Sequence, residues 1–303
     1  MNYVITGGAG NISKPIVEQL LAAGHQVTVI GRSEKNLQSL IAAGARSAIG
    51  SVEDPSFLTE AFKGADAVYT MVPPNWAATD WKAYMEQVGK NYAAAIKANG
   101  IKYVVNLSSI GAHLPEGCGP VSGLYREEQV LNSLEGVAIK HLRPGFFFAN
   151  FFGNISMIRS MGLLGSNFGD QGSSIVLSHT GDIADAAVAF LQQLDFTGHS
   201  VAYLSSDERS LGEVAQVLGQ AIGNPNLPWV LFTDEQSLEG MLQSGLPEEF
   251  ARNYVEMGAA MRNGIMTSDY RKSGPDVIGK TKLEDFARIF AAVYASEKTE
   301  AVS

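Results

Sequence analysis

The N-terminal stretch constrains the fold of this chain more than any other feature. A β-branched run that begins at Asn2 passes into the glycine turn Gly7-Gly8-Ala9-Gly10, and an apolar-periodic helix with Pro15 in its first turn follows at once. Glycines let the backbone turn tightly and approach a pyrophosphate, and the N–H groups at the start of the helix attract its charge. Ser13 stands where a third glycine is expected. This strand–turn–helix order predicts a dinucleotide site.

Composition narrows the class of protein. The chain has 303 residues, of which 46% are hydrophobic and 17% charged, as in ordinary soluble globular proteins. A net charge of −9 argues against direct binding of nucleic acid, which needs clustered Lys and Arg. No apolar run reaches the roughly 18 residues of a membrane span, and the five histidines show no metal-ligand spacing. With a single Cys118 and a first strand at Asn2, we expect a cytoplasmic protein without a signal peptide.

Strand-like and helix-like segments alternate through the first half of the chain. Strands are predicted at residues 26–30, 47–50, 67–72, 103–107 and 138–142, with helices between them. Such alternation predicts βαβ units and an α/β fold with a doubly wound parallel sheet of the Rossmann type. Ligands bind such sheets outside the carboxyl ends of the strands. The strand ends near Thr6, Gly31, Val72 and Ser108 should therefore share one crevice.

The parallel pattern fades after Gly223. Helices are predicted there at residues 234–243 and 247–262, and a final amphipathic helix at 282–295. We therefore predict a dinucleotide-binding Rossmann domain over residues 1–147, to which elements near 180–222 and 282–296 return. Residues 148–179 and 223–281 would form a smaller, mostly helical substrate lobe.

The end of the second strand discriminates between NAD and NADP. An NAD site places Asp or Glu there, about 20 residues past the glycines, to bind the ribose 2′-hydroxyl. This chain has Arg32 instead, followed by Ser33 and Lys35. A guanidinium binds a 2′-phosphate through paired N–H donors, whereas an acid would repel it. We predict NADP(H) as the cofactor; the alternative is that Arg32 only begins an exposed helix.

Several short motifs follow one another in a fixed order. They are Thr6-Gly7-x-x-Gly10, Gly31-Arg32, Gly50 with Asp54, Ser108-Ser109 and Leu142-Arg143-Pro144-Gly145-x-Phe147, with a further run from Gly245 to about Val293. In this order the chain resembles the atypical short-chain dehydrogenases, and more closely the NmrA-like family with its NAD(P)H-dependent quinone and dye reductases. Some members reduce quinones or dyes with NADPH. Others bind NADP and act as redox-sensing regulators through a protein partner.

The resemblance implies which residues hold each part of the cofactor. The pyrophosphate would be held by Gly7, Gly10, Asn11 and Ile12, and the 2′-phosphate by Arg32 and Lys35. Those at the adenine and ribose are Met71, Val72 and Pro73. Those near the nicotinamide are Pro144, Gly145 and Phe146, and Ser108 completes the predicted cofactor contacts. Ser51 stands where many members have an acid beside the adenine.

The usual catalytic pair of short-chain dehydrogenases is missing. That pair is Tyr-x-x-x-Lys, in which the lysine lowers the pKa of the tyrosine hydroxyl. Tyr125 lies on the expected helix, but Gln129 occupies the lysine position, and only Tyr294 with Lys298 has the spacing. Alcohol and sugar-epimerase chemistry is therefore disfavoured. A quinone accepts hydride without a strong acid, because aromaticity stabilises the product anion.

Three polar side chains are candidates to donate a hydrogen bond to the acceptor. They are Tyr125 and Ser109, which we predict as the catalytic residues, and His113. Each has a structural alternative: half-buried packing, a turn cap or a solvated loop residue.

Aromatic side chains predict the class of acceptor. The run 146–152 and the helically spaced residues Phe250, Tyr254, Met257 and Met261 would form two apolar walls around a flat ring. Phe147, Phe151 and Tyr254 are the predicted substrate contacts; the alternative is that at least half of these residues are ordinary core. The resulting hypothesis is NADPH-dependent hydride transfer to a quinone or similar electron-poor aromatic. The other hypothesis is a non-catalytic NADP sensor with a regulatory protein partner, and a homodimer is left open.

Overall fold

The computed structural model describes the backbone of residues 1–300 and the side chains of residues 1–296. The strands are β1 (Asn2–Ile5), β2 (Gln26–Gly31), β3 (Arg46–Ile49), β4 (Ala67–Thr70), β5 (Tyr103–Leu107), β6 (Ala138–Pro144), β7 (Phe146–Phe147), β8 (Leu164–Ser166), β9 (Ser174–Ser178), β10 (His199–Ser205), β11 (Asp207–Ser210), β12 (Trp229–Leu231) and β13 (Val277–Ile278). The helices are α1 (Ser13–Ala22), α2 (Glu34–Ala42), α3 (Pro55–Ala61), α4 (Trp81–Asn99), α5 (Pro120–Asn132), α6 (Ile155–Met161), α7 (Thr180–Gln193), α8 (Leu211–Ala221), α9 (Asp234–Gln243), α10 (Glu248–Arg262), α11 (Tyr270–Ser273) and α12 (Leu283–Glu300), with a 3-10 helix at Phe148–Asn154.

Eight strands form one parallel sheet in the order β13-β10-β6-β5-β4-β1-β2-β3. Parallel neighbours need crossover connections, and helices supply them throughout the first half of the chain. Helices cover both faces, so the central strands are apolar on both sides, as in the fully buried β4. The predicted doubly wound parallel sheet is confirmed.

The two faces have separate cores. Helices α1, α2 and α7 pack on one face around residues such as Ile5 and Val29. Helices α3, α4 and α5 pack on the other around residues such as Val68 and Val104. The winding reverses between β1 and β4, which opens a crevice at the carboxyl ends of these strands.

A third core lies beyond the end of β6. It joins the 3-10 helix, α6, α8, α10 and α12, and two small sheets, β11-β9-β7 and β12-β8, flank it. Strand β10 belongs to the large sheet and α7 covers it, whereas α8 and α12 pack in this third core. The domain boundaries expected from the sequence stay a prediction.

Element bounds follow the sequence closely in some places and less closely in others. Helix α9 and strand β5 begin and end where the patterns predict. Strand β6 runs on to Pro144, and β4 ends at Thr70, two residues short of the predicted Val72. Strands β7, β8, β9, β11 and β13 were not predicted. Three of them, β7, β8 and β13, have only two or three residues, too few to show a period of two.

Candidate active site

The glycine turn after β1 is shaped by close backbone approach. Gly7 and Gly8 have positive φ angles of 92° and 58°, a region that favours glycine. Gly8 N–H donates to the Ile30 carbonyl at 2.8 Å, which joins the turn to β2. A Cβ on Gly7 would lie 2.4 Å from Ser13 Oγ, so any side chain there would clash.

Ser13, the first residue of α1, packs inward. It is 3% exposed and its hydroxyl lies against Gly7, so its small size lets α1 approach the turn. The N-cap residue of this helix is Ile12, whose side chain caps no backbone N–H group. Lys14 N–H donates to the Gly10 carbonyl at 2.9 Å, and Pro15 has no N–H. The donors left for an anion such as a pyrophosphate are the N–H groups of residues 11–13, which have no hydrogen-bond partner among the described residues.

The end of β4 is tied to the glycine turn. Thr6 Oγ1 accepts a hydrogen bond from Met71 N–H at 3.0 Å, and Tyr92 on α4 donates to the Met71 carbonyl at 2.7 Å. Met71, Val72 and Pro73 are half-buried after the end of β4, and their contact with the adenosine stays a prediction.

Arg32 and Lys35 lie beyond the end of β2 and are exposed. Neither forms an ion pair with any described side chain, so both are available to an incoming phosphate. Tyr84 on α4 closes this region, and its hydroxyl donates to the Pro73 carbonyl at 3.0 Å. Burial, together with the nearby charge of Glu53, raises the pKa of Tyr84 to about 12 although Arg32 acts to lower it, so both charges lie near this ring.

The nicotinamide end predicted at Pro144, Gly145 and Phe146 is rigidly held. Gly145 N–H donates to Ser178 Oγ at 2.9 Å and to the Leu204 carbonyl at 3.2 Å. A Cβ on Gly145 would lie 2.4 Å from the Val176 carbonyl oxygen, so only glycine fits. Arg143, directly before this segment, is buried and pairs with Glu128 on α5.

The candidate hydrogen-bond donors are placed differently from one another. Ser108 is buried and its hydroxyl donates to Glu128 Oε1 at 2.5 Å, while Ser109 donates to the Ile110 carbonyl at 2.9 Å. His113 bonds Ser268 at 2.9 Å, which ties the loop after β5 to the segment after α10. Tyr125 is half-buried, and its hydroxyl has no hydrogen-bond partner among the described residues.

Tyr125 is thus the candidate with the freest donor. Gln129, four residues on, is exposed. Tyr294 lies on α12, and the side chain of Lys298 lies outside the described residues. The catalytic assignments of Tyr125 and Ser109 stay predictions.

A buried polar chain runs beneath the crevice on the α5 side of the sheet. Thr70 donates to Asn106 Oδ1 at 2.7 Å, and Asn106 Nδ2 donates to Glu127 Oε2 at 2.8 Å and lies 3.2 Å from His141 Nδ1. Burial raises the pKa of Glu127 well above its usual range and lowers the pKa of His141 to about 4. Burial therefore favours the neutral form of both side chains.

A row of aromatic rings crosses from the loop after β4 to β7, and we call it the aromatic row. Its centroid distances are 4.6 Å for Trp76–Phe250, 5.3 Å for Phe250–Tyr254, 6.0 Å for Phe168–Tyr254 and 5.4 Å for Phe146–Phe168. Trp76 is 52% exposed, so the row begins in solvent beside the end of β4. The aromatic row links α10 to the predicted nicotinamide segment.

The predicted substrate contacts divide between this row and the core. Tyr254 is a half-buried member of the row. Phe151 is 1% exposed and packs edge-to-face on Phe146 at 5.4 Å, so its contact with a substrate would be indirect. Phe147 packs against the core that contains Ile5, on the opposite face from α5. Met257 belongs to the third core.

Sequence reasoning missed Trp76 and Glu128. A tryptophan directly after Pro73-Pro74-Asn75, at the end of a predicted strand, was a signal that could have marked Trp76 as a crevice residue. Glu128 had no such signal, because a glutamate on an amphipathic helix is ordinarily exposed.

Three other features bear on function: the single thiol, any cluster of metal ligands and any membrane-spanning helix. Burial raises the pKa of Cys118 to about 12, in agreement with an inert thiol. Within the described residues no three His, Cys, Asp or Glu side chains cluster as metal ligands. No helix in that part of the chain is both long and apolar enough to cross a bilayer.

The fold and the glycine turn together define a dinucleotide-binding protein of the Rossmann class. Residues 7–133 match the family model described as NAD(P)H-binding. This agrees with the cofactor prediction as far as NAD(P)H.

Similarity to known proteins extends over nearly the whole chain. The NAD(P)H azoreductase of Xenophilus azovorans is 27% identical, across 97% of this chain and 99% of its own length. The Escherichia coli NADPH-dependent quinone oxidoreductase, solved with NADPH, has a TM-score of 0.80 at 20% identity and covers 94% of this chain and 98% of its own. The Citrobacter triphenylmethane reductase with NADP(H) has a TM-score of 0.77 at 19% identity, over 95% and 99%.

These similarities confirm the resemblance drawn from the sequence motifs. The structural neighbours establish the fold, and the azoreductase carries the relationship at the level of sequence over nearly the full chain.

Proposed function

We propose that this NAD(P)H-binding protein is an NADPH-dependent reductase that transfers hydride to a quinone or a similar electron-poor aromatic compound. The observation that carries the proposal is the aromatic row, which links the loop after β4 to the nicotinamide segment and offers flat apolar surfaces to a planar acceptor. The names of the relatives, which are azo, quinone and triphenylmethane reductases, support the same class.

Preference for NADPH over NADH rests on charge. Arg32 and Lys35 are exposed at the end of β2 and have no described carboxylate partner. A 2′-phosphate would gain charge-assisted hydrogen bonds from Arg32, whereas an NADH ribose would leave the guanidinium in water.

The fit to the cofactor is visible in the glycine turn. Side chains are excluded at Gly7 and Gly145, and the N–H groups of residues 11–13 at the start of α1 have no hydrogen-bond partner among the described residues. Bound NADPH would supply the hydride. The chain's own part is to hold the two flat systems in register, an effect that reaches about 7–11 kcal/mol in well-oriented reactions.

The hydroxyl groups predicted to lie near the substrate suit an acceptor that needs little acid catalysis. Ser108 and Ser109 both donate their hydroxyl protons within the protein. Tyr125 retains a free donor that would stabilise the developing negative charge on a quinone oxygen, with the final proton taken from water. A cationic dye needs no proton at all when it accepts hydride.

The test is an acceptor screen with purified protein. NADPH oxidation is followed by absorbance with quinones, azo dyes and triarylmethane dyes, and with aliphatic ketones and sugar nucleotides as the matched negative set. Turnover restricted to the aromatic acceptors supports the proposal. Turnover of ketones, or of no acceptor, contradicts it.

The absence of a lysine four residues after Tyr125 favours one second candidate, a non-catalytic NADP sensor that acts through a protein partner. Calorimetric binding of NADPH without oxidation by any acceptor would select that candidate. Measurable turnover would reject it.

A further inference from the structure

A buried ion pair joins the helix α5 to the end of β6. Arg143 Nη2 lies 2.5 Å from Glu128 Oε2 and Arg143 Nε lies 2.9 Å from Glu128 Oε1, which is the bidentate geometry of a strong pair. The side chains are 7% and 1% exposed. Such a pair loses much of its Coulomb energy to desolvation, so a positional role suits it better than a large contribution to stability.

Further contacts hold this pair in place, including an approach of Arg143 Nη1 to Asp269 Oδ2 at 3.8 Å. Ser108 donates to Glu128 Oε1, and Arg143 Nη2 also donates to the Ala112 carbonyl at 3.2 Å. Arg143 Nη1 donates to the hydroxyl of Tyr203 on β10 at 3.0 Å. The ends of β5, β6 and β10 are thus joined at one point.

The chain of hydrogen bonds continues out of the sheet. Tyr203 donates to Asp269 Oδ2 at 2.7 Å, and Asp269 lies in the segment between α10 and α11. Ser268, its neighbour, bonds His113. Met266 in the same segment is buried against Gly111, where a Cβ would lie 2.8 Å from Met266 Cγ.

This series of hydrogen bonds begins beside the predicted nicotinamide segment and ends in the segment that follows α10. Arg143 directly precedes Pro144 and Gly145, the predicted nicotinamide segment. Asp269 follows the helix that carries Phe250 and Tyr254 of the aromatic row.

We propose that Tyr203 and Asp269 are positioning residues: through Arg143 they set the separation between the nicotinamide segment and the aromatic row on α10. The inference rests on the proposed function for its kinetic consequence, although its structural consequence is independent of turnover. Tyr203 is 5% exposed and acts through Arg143, and Asp269 acts through Tyr203, so both are positioning residues rather than catalytic ones.

The protonation states of Tyr203 and Asp269 favour the hydrogen bond between them. Burial raises the pKa of Tyr203 to about 12, so its hydroxyl remains a donor at neutral pH. The hydrogen bond from Tyr203 lowers the pKa of Asp269, so the carboxylate remains an acceptor. Asp269 also pairs with Lys272 at 3.3 Å on the exposed side.

The first test is hydrogen exchange of the NADPH-bound protein. Tyr203→Phe removes both hydrogen bonds of the hydroxyl and keeps the ring. We expect faster exchange over residues 248–269 and unchanged exchange over residues 2–50. The matched control is Tyr270→Phe, since Tyr270 packs on Tyr203 with a centroid distance of 5.8 Å and its hydroxyl has no hydrogen bond among the described residues.

The second test is the split between KM and kcat with an aromatic acceptor. Loss of a hydrogen bond to a charged group should raise the acceptor KM roughly tenfold, with the NADPH Kd unchanged. Asp269→Asn, which keeps an acceptor oxygen, should fall closer to the wild type than Asp269→Ala.

The outcomes separate this inference from the proposed function. Unchanged exchange over residues 248–269, or an equal loss of NADPH affinity, would overturn the positioning role even in an active enzyme. Faster exchange in that segment alone supports it. If the wild type reduces no acceptor, the proposed function fails, and the exchange result still decides whether the link positions α10.

Discussion

Replacing Glu127 by Gln should stabilise the protein by an amount that grows with pH. The carboxyl is completely buried, and it accepts one hydrogen bond, from Asn106 at 2.8 Å, while Glu127 Oε1 has no partner among the described residues. Burial raises the pKa of this carboxyl, and the nearby charge of Glu128 adds to the effect. The folded protein therefore holds Glu127 protonated at pH values where the unfolded chain ionises it.

The magnitude follows from proton linkage. An unfolded glutamate ionises near pH ~4.3, and above that value each pH unit lowers the free energy of unfolding by about 1.4 kcal/mol until the buried carboxyl itself ionises. The contribution of this group is thus complete below about pH 4.3 and decreases as the pH rises. Gln does not ionise, so the variant should gain about 1.4 kcal/mol relative to the wild type per pH unit from about pH 5 upward.

The assay is urea unfolding at several pH values, with the free energy of unfolding obtained for each variant. The matched control is Glu135→Gln, because Glu135 is exposed and lies three residues after the end of α5, the helix that carries Glu127. An amide without hydrogen-bond partners at position 127 would change the free energy of unfolding by the same amount at every pH. It would therefore leave the pH dependence unchanged. A difference that does not vary with pH between the Glu127 variant and the wild type would refute the reasoning, since it would mean that Glu127 ionises in the folded state as it does in the unfolded chain.

Three further predictions concern the site. Arg32→Ala should raise the NADPH Kd about 10-fold or more and leave the NADH Kd nearly unchanged, because only the 2′-phosphate uses the guanidinium; calorimetry with both nucleotides would show it, and equal losses would contradict it. Gly145→Ala should lower the free energy of unfolding by about 1–3 kcal/mol, because its Cβ would lie 2.4 Å from the Val176 carbonyl oxygen; a melting temperature equal to that of the wild type would count against this close approach. Tyr125→Phe should lower kcat for quinones roughly 10-fold with the NADPH Kd unchanged, since it removes one donor to a developing oxyanion; an unaltered kcat would assign Tyr125 to packing.

Local sequence patterns were enough to predict the part of the fold that is built from alternating strands and helices. The glycine turn, the strand–helix alternation and Arg32 at the end of β2 are each set by neighbouring residues, so the parallel sheet and the NAD(P)H crevice could be predicted. The bounds of α9 and β5 agree with the sequence pattern because each has a clear period and clear flanking residues.

The division of aromatic residues between cleft and core required the tertiary structure. Phe146 and Phe151 belong to one run, yet only Phe146 lies in the aromatic row, while Phe151 packs beneath it. Trp76 joins Phe250 across a sequence separation that no local pattern can relate. A ring's exposure depends on which distant segment covers it.

The two glutamates on α5 show the same limit for charge. Glu127 and Glu128 are adjacent and identical in type, and the sequence treats both as surface residues of a helix. In the folded protein Glu128 meets Arg143 from β6, while Glu127 meets the neutral Asn106 from β5. The sequence by itself determined the sheet, the glycine turn and the basic end of β2. Only the tertiary structure decided the protonation of Glu127 and the link from Arg143 to Asp269, because each depends on partners that folding brings from distant strands.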